Sequence, residues 1–312
     1  MSSAPAIPPL DNTLGAVLIG AVLGTFLFGI ATLQAFNYYR RYPDDSTRLK
    51  TMVACIWLIE LGHSIVTWTA LYQITVTFYG QEEHIFDPPH ALPFTLLFSA
   101  MMNLVVQTYF ALRIRTLSKR WFITAICSAL TISRAGFNVV MFIEFIASSG
   151  FAIFQNKLRW LMLCVSTIGP AVDVIIATSL CYYLWNIKSN VSPFQHTRRM
   201  IDTLILWSLE TTSITCAAGV MQLVLFLSLN NLVWITFFLL QPKLFSNSIL
   251  AHLNGRKRFR NGNALTMSDH TDSRGRADRS VGVVIQMHTM TDAVRDPGFY
   301  PSEKRIPTAD SA

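Results

Sequence analysis

Along the chain, long apolar blocks alternate with short polar links. The blocks fall at roughly 14–36, 51–76, 92–112, 121–146, 160–184, 203–228 and 232–252. A helix rising 1.5 Å per residue needs about 20 residues to cross a hydrocarbon core of ~30 Å, and every block meets that length. The stretch 203–252 is too long for one crossing, and the turn-prone pair Asn230-Asn231 divides it. Seven spans result. Strands of a membrane barrel alternate apolar and polar positions over about ten residues. These blocks instead stay apolar for twice that length, and a helix satisfies its own backbone hydrogen bonds in lipid. The predicted fold is an all-α integral membrane protein with a seven-transmembrane helix bundle over 14–253.

Charge sets the direction of threading. Only 14% of the 312 residues are charged while 52% are apolar, against roughly 25% charged in soluble domains. The net charge of +7 is concentrated in particular links. Arg40, Arg41, Arg48 and Lys50 sit in the first link, Arg113, Arg115, Lys119 and Arg120 in the third, and Lys188, Arg198 and Arg199 in the fifth. The segment after the last block opens with Arg256, Lys257, Arg258 and Arg260. By contrast, the link 77–91 holds Glu82, Glu83 and Asp87 and no Lys or Arg. Cytoplasmic links carry the excess of Lys and Arg, so the basic links are predicted inside. The segment 1–13 lacks both residues and is predicted outside, which agrees with an odd number of spans. The basic charge therefore reads as a topology signal and not as a nucleic-acid surface. The first span reads as an anchor, since its apolar region is too long for a signal peptide and no basic region precedes it. The one Asn-x-Ser/Thr sequon, Asn190-Val191-Ser192, is predicted inside and unused.

Residues 254–312 shift to Ser, Asp, Arg, Gly and Thr and are predicted to form a disordered cytoplasmic tail. Within it, "SVGVVIQMH" (280–288) is an apolar patch suited to a cytoplasmic partner. The five cysteines, Cys55, Cys127, Cys164, Cys181 and Cys216, all lie in apolar blocks. They are expected to be buried, without disulfides.

An ionisable group at membrane depth costs several kcal/mol unless it is paired or hydrated, which makes such groups the best functional pointers. Glu60 and His63 share a helix face in the second span, and Asn103 lies with Gln107 on a polar stripe of the third. Arg134 is central in the fourth span, Glu144 lies near its outer end, and Asp173 follows Pro170 in the fifth. Glu210 lies in the sixth, and Lys243 follows Pro242 in the seventh. Two readings stand. These residues line one polar cavity that binds a ligand or proton, or they form separate ion pairs and hydrogen bonds between helices. Glu60 and His63 read as a histidine beside an acid able to exchange protons near neutral pH, and Lys243 as either snorkelling to the interface or pairing with Glu210. Gly20-x-x-x-Gly24 marks a close helix contact, and Pro170 and Pro242 interrupt helical hydrogen bonding. No phosphate-cradling loop, HExxH, Cys/His spacing or nucleophile–base set appears, so neither enzyme, metal nor cofactor is expected.

Three stretches carry a resemblance: "AVDVIIATSLCYYLWNIKS" (171–189), "TRRMIDTLILWSLETTSITCAAGVMQLVLF" (197–226) and "PKLFSNSILAHLNGR" (242–256). They resemble domain of unknown function 6534, a fungal family of multi-pass membrane proteins from mushroom-forming basidiomycetes, over roughly 170–257. Lys243, Asn247, Ser248, Asn254 and Arg256 look like family positions, with Asn247 and Ser248 suited to bonding neighbouring helices. The resemblance implies a seven-helix membrane protein and assigns no activity. The expected function is receptor-like sensing of a small or lipidic ligand at the plasma membrane. The alternative is a proton-coupled transporter using Glu60, His63 and Asp173.

Overall fold

The computed structural model describes residues 14–78, 89, 91–147, 157–190, 195–229 and 232–269, with side chains described in these ranges except at 189–208, 211 and 256–269. Among the described residues every regular element is helical: α1 (Leu14–Arg41), α2 (Thr47–Tyr72), α3 (Phe94–Ser118), α4 (Phe122–Ala147), α5 (Arg159–Asn190), α6 (Gln195–Ser228) and α7 (Val233–Asp269). A π-helical turn, Gln73–Thr77, extends α2. The chain divides into two compact units, residues 1–265 and 266–312, and the bundle belongs to the first. Among the described residues five helices are long and apolar enough to cross a membrane: α1, α2 with its π-helical turn, α3, α4 and the stretch Lys157–Lys188. In α6 the shorter stretch Thr212–Ser228 is apolar. The chain is thus built as a multi-pass membrane protein.

Sequential helices pack side by side, from α1 on α2 to α5 on α6. Two tryptophans tie the first pair. Trp57 Nε1 donates to Thr32 Oγ1 at 3.1 Å, and Trp68 Nε1 donates to Thr25 Oγ1 at 2.8 Å, so the helices run antiparallel. The turn between α3 and α4 is short because Lys119 adopts a left-handed conformation (φ 55°) and closes α3 with a 2.9 Å bond from its N–H to the Arg115 carbonyl. Arg115 then lies 3.4 Å over the Trp121 ring.

The last helix explains why polar residues interrupt its sequence. No residue from Leu232 to Gly255 is exposed, so α7 is enclosed by the others over that stretch. A helix enclosed in this way has no need to be apolar all round. Its polar side chains instead reach four neighbours: α1, α2 through Lys243, α3 through the Arg113–His252 contact, and α4 through Gln241. Hydrocarbon supplies no hydrophobic drive between helices, so such bonds and close packing hold the bundle. This is also why α7 falls outside the five helices that qualify by apolarity.

Against α1 the fit is regular. Thr236 Oγ1 donates to the Ala16 carbonyl at 2.7 Å, Asn247 Nδ2 to the Leu27 carbonyl at 3.0 Å, and Asn254 Nδ2 to the Gln34 carbonyl at 2.8 Å. All three pairs are separated by 220 residues, so α1 and α7 run parallel in a constant register. Parallel α1 and α7 are what six successive antiparallel steps require. A Cβ at Gly20 would lie 3.1 Å from the Thr236 Cα, so Gly20 of the predicted small-residue pair is a point of close approach. Thr236→Val and Asn254→Leu each remove one side-chain bond to this register, and each is expected to lower stability by ~0.5–1.5 kcal/mol. Unfolding of the purified protein in detergent measures this.

Two apolar clusters occupy the two ends of the bundle. One gathers Tyr38, Val53, Ile56, Phe110, Ile114, Leu180 and Ile249 at the basic end. The other gathers Val17, Leu71, Leu96, Phe145, Leu161 and Trp234 at the opposite end.

Some expectations are corrected. The helix of the last span does not end near 253: α7 continues to Asp269, so the first residues assigned to a disordered tail are helical. Apolarity marks where hydrocarbon ends, whereas a helix can continue in water with its backbone bonds intact. The remainder of that tail, with the patch 280–288, lies outside the described residues, as does the link 79–88 apart from its flanks. Of the cysteines only Cys127 is buried, and Cys55 is exposed on the bundle surface. All five are free, as expected.

Candidate functional site

Polar residues of the core collect on two sides of α7. On one side the Lys243 ammonium lies 2.5 Å from the Glu60 carboxylate of α2. It also donates to Ser64 Oγ at 2.6 Å and to the Glu60 carbonyl at 3.2 Å. Both charged side chains are essentially inaccessible, at 3% and 0% exposure, which makes the pair mutually dependent. Gly24 leaves room for the lysine stem, whose Cε lies 3.8 Å from where a Cβ would stand, and the Phe28 ring covers the ammonium at 5.3 Å. The Lys243 carbonyl accepts bonds from Ser246 Oγ at 3.0 Å and Asn247 Nδ2 at 2.7 Å. His63 stands beside this pair with both ring nitrogens unpartnered. It lines a cavity of about 10 Å³ with Gly20, Gly24, Ser64, Thr67 and Lys243, room for one water-sized sphere.

On the other side, Arg134 of α4 donates from Nη2 to Gln241 Oε1 at 2.9 Å. Its guanidinium rests on Gly169 of α5, where a Cβ would stand 2.8 Å from the guanidinium carbon. The neighbouring acid is Asp173, one turn further along α5. It interacts electrostatically with Arg134 without an ion-pair contact, and its Oδ2 has no hydrogen-bond partner. Asp173 lines a second cavity of about 10 Å³ with Gln107, Thr215, Phe245 and Ser248. Thr131 Oγ1 donates to Gln107 Oε1 at 3.0 Å, so α3 and α4 are joined here too.

Two sides, and not one cavity, follow from helix geometry. Gln241 and Lys243 flank Pro242, and two residues along a helix turn it by about 200°. One therefore faces α4 and the other α2. Sequence reasoning identified Lys243 and Arg134 but not their partners Gln241 and Ser64, nor the glycine beneath Arg134. The signal was the position of Gln241 two residues before a buried lysine.

Glu210 joins neither group. It is exposed on α6, and the expected alternative of pairing with Lys243 is not met. Thr215 and Gln222 mark the inward face of α6, and Glu210 is turned about 140° from Thr215. Glu144 pairs with Lys157 at 2.6 Å at the end of the bundle. Asn103 is buried on α3 with its Oδ1 unpartnered. Ser248 lines the Asp173 cavity, and the Arg256 side chain lies outside the described residues. Among the described residues no group of three or more His, Cys, Asp or Glu is placed to hold a metal ion.

A third feature lies away from the basic links. The beginnings of α3, α5 and α7 and the ends of α4 and α6 enclose an apolar cavity of about 50 Å³. Its walls include Leu96, Phe145, Met162, Val165, Trp234 and Phe238. In its wall Gln222 Nε2 donates to Ser166 Oγ at 3.3 Å, and Thr95 Oγ1 donates to the Leu92 carbonyl at 2.6 Å.

Residues 169–258 match a Family of unknown function (DUF6534). The matched stretch carries most of α5, all of α6 and the enclosed part of α7. It therefore includes Asp173, Gln241, Lys243, Asn247 and Asn254, while Glu60 and Arg134 come from outside it. No curated protein and no solved structure matches the chain.

Proposed function

We propose that this protein is a seven-span membrane receptor whose amino terminus lies outside, and that the cavity between the outer ends of α3–α7 takes a small apolar or lipidic ligand. The observation carrying this reading is that cavity. It lies at the end opposite the basic links, its walls are almost wholly apolar, and one Ser–Gln contact offers orientation. Trp234, Ile235 and Phe238 of its wall belong to α7, so an occupant would press on the helix that also carries Gln241 and Lys243. This reading includes no catalytic chemistry. It places the protein in the plasma membrane with its carboxyl-terminal segment available to a cytoplasmic partner.

The test uses a homologous series of n-alkanols, hexanol to dodecanol, added to the purified protein. Thermal stability is expected to rise with chain length to an optimum, and Val165→Trp, which fills the cavity, is expected to abolish the rise. Equal shifts in wild type and variant would overturn the reading. Orientation is tested in cells with a carboxyl-terminal epitope, expected to be reachable only after permeabilisation, and with Asn190, expected to stay unglycosylated.

The carrier reading needs protons to pass between Glu60, His63 and Asp173. Asp173 lies on the other side of α7 from the first two, and Glu60 is paired with Lys243. The geometry favours the receptor reading. Proton flux in liposomes that is lost in Glu60→Gln would reverse that preference.

A further inference from the structure

Outside the core, the basic end of the α1–α2 pair carries a groove of about 410 Å³ that opens on the bundle surface. Its floor is small, lined by Ala35 of α1 and Ala54 of α2. Its walls are large: Phe36, Tyr39, Trp57 and Leu58. Phe36, Tyr39 and Leu58 are 57%, 43% and 56% exposed, so these three walls project from the bundle, while Trp57 is half-buried against its core. Hydrogen bonds fix two of them. Trp57 Nε1 donates to Thr32 Oγ1 at 3.1 Å, and Tyr39 OH donates to the Lys50 carbonyl at 2.7 Å. A slot with pinned aromatic walls and an alanine floor holds its shape before anything enters it.

Its rim is positively charged. Arg40 lies 5.5 Å over the ring of Phe36, one of the walls. Lys50 is one turn from Ala54 towards the basic end, and its ammonium donates to the Pro43 carbonyl at 2.5 Å, which leaves further N–H groups free to donate. Arg41 ends α1 beside them. Of the two acids in the same turn, Asp45 accepts a 2.8 Å bond from Tyr38 OH, and Asp44 is exposed. An apolar slot of open shape below a cationic rim matches an acyl chain below a phosphate. Among lipids, the rim selects those with net negative charge.

We infer that the α1–α2 groove is a binding site for one anionic phospholipid, with an acyl chain between Trp57 and Phe36 and the phosphate at Arg40 and Lys50. The inference rests on the membrane-spanning architecture and is independent of the apolar cavity at the other end. Failure of the architecture would show as protein dispersible without detergent, whereas failure of this site would show as lost lipid selectivity in a protein that still needs detergent.

The experiment is native mass spectrometry of the purified full chain in detergent with equimolar phosphatidylserine and phosphatidylcholine. Phosphatidylserine is expected to be retained at least tenfold over phosphatidylcholine. Arg40→Gln and Lys50→Gln, both surface changes that leave the core intact, are each expected to reduce that preference about fivefold. Ala54→Phe, which fills the floor, is expected to remove the retained lipid altogether. Equal retention of the two lipids, preference unchanged in both charge variants, or displacement of phosphatidylserine by a sterol would each overturn the proposal.

Discussion

Lys243→Met is expected to destabilise the protein by about 3–5 kcal/mol, and adding Glu60→Gln to it is expected to recover most of the loss. Taking away one member of a buried ion pair leaves the other charge without compensation, and that penalty exceeds what the intact pair contributes. Here the penalty is severe because Glu60 is fully buried and its Oε1 has no hydrogen-bond partner. Methionine keeps the stem that packs beside Gly24, so the loss isolates the ammonium and not a cavity. Part of the loss will not return in the double variant, since Lys243 also donates to Ser64 and to the Glu60 carbonyl. Equilibrium unfolding of the single and double variants in detergent gives the coupling energy. A double variant as unstable as Lys243→Met would mean that the ion pair is not the source of the loss, which would then lie in the ammonium's bonds to Ser64 and the Glu60 carbonyl.

That pair also shows what could be read from the chain without coordinates. The helices were legible because lipid demands long apolar blocks, and block length maps directly onto helix length. Glu60, Arg134, Asp173 and Lys243 were legible as buried charges for the same reason: in an apolar block a charge stands out. Their partners were not. Gln241 is one more polar residue until the rotation of α7 is known, and Glu210 looks like Glu60 until α6 is seen to turn it outward. Hydropathy reports depth along a span, whereas pairing depends on the angle around it. A span with lipid on one side shows that angle as a polar face. The enclosed α7 has polar residues on several faces, so its pattern does not indicate which one meets α2 or α4. The asparagines at 247 and 254 gain their meaning only from the register against α1.

On the other side of α7, Gly169→Ala is expected to cost about 1–3 kcal/mol in the native chain and almost nothing in an Arg134→Leu background. The added methyl would stand 2.8 Å from the guanidinium carbon and 2.9 Å from Nη2, closer than atoms pack. A guanidinium on the surface would swing aside. This one is 2% exposed and held by Gln241, so moving it gives up the 2.9 Å bond and shifts the charge relative to Asp173. Arg134→Leu by itself is expected to cost about 3–5 kcal/mol, because Asp173 then lacks its nearby positive charge. Asp173→Asn should return less of that loss than Glu60→Gln does for Lys243, since Arg134 and Asp173 attract across a gap and not through contact. The decisive comparison is the glycine change in the two backgrounds. If Gly169→Ala is equally damaging with leucine at 134, the glycine serves the helix backbone beside Pro170 or some other close contact of α5, and the guanidinium is not what requires it. If the damage vanishes, a missing methyl on one helix is what lets a full positive charge reach the centre of the bundle.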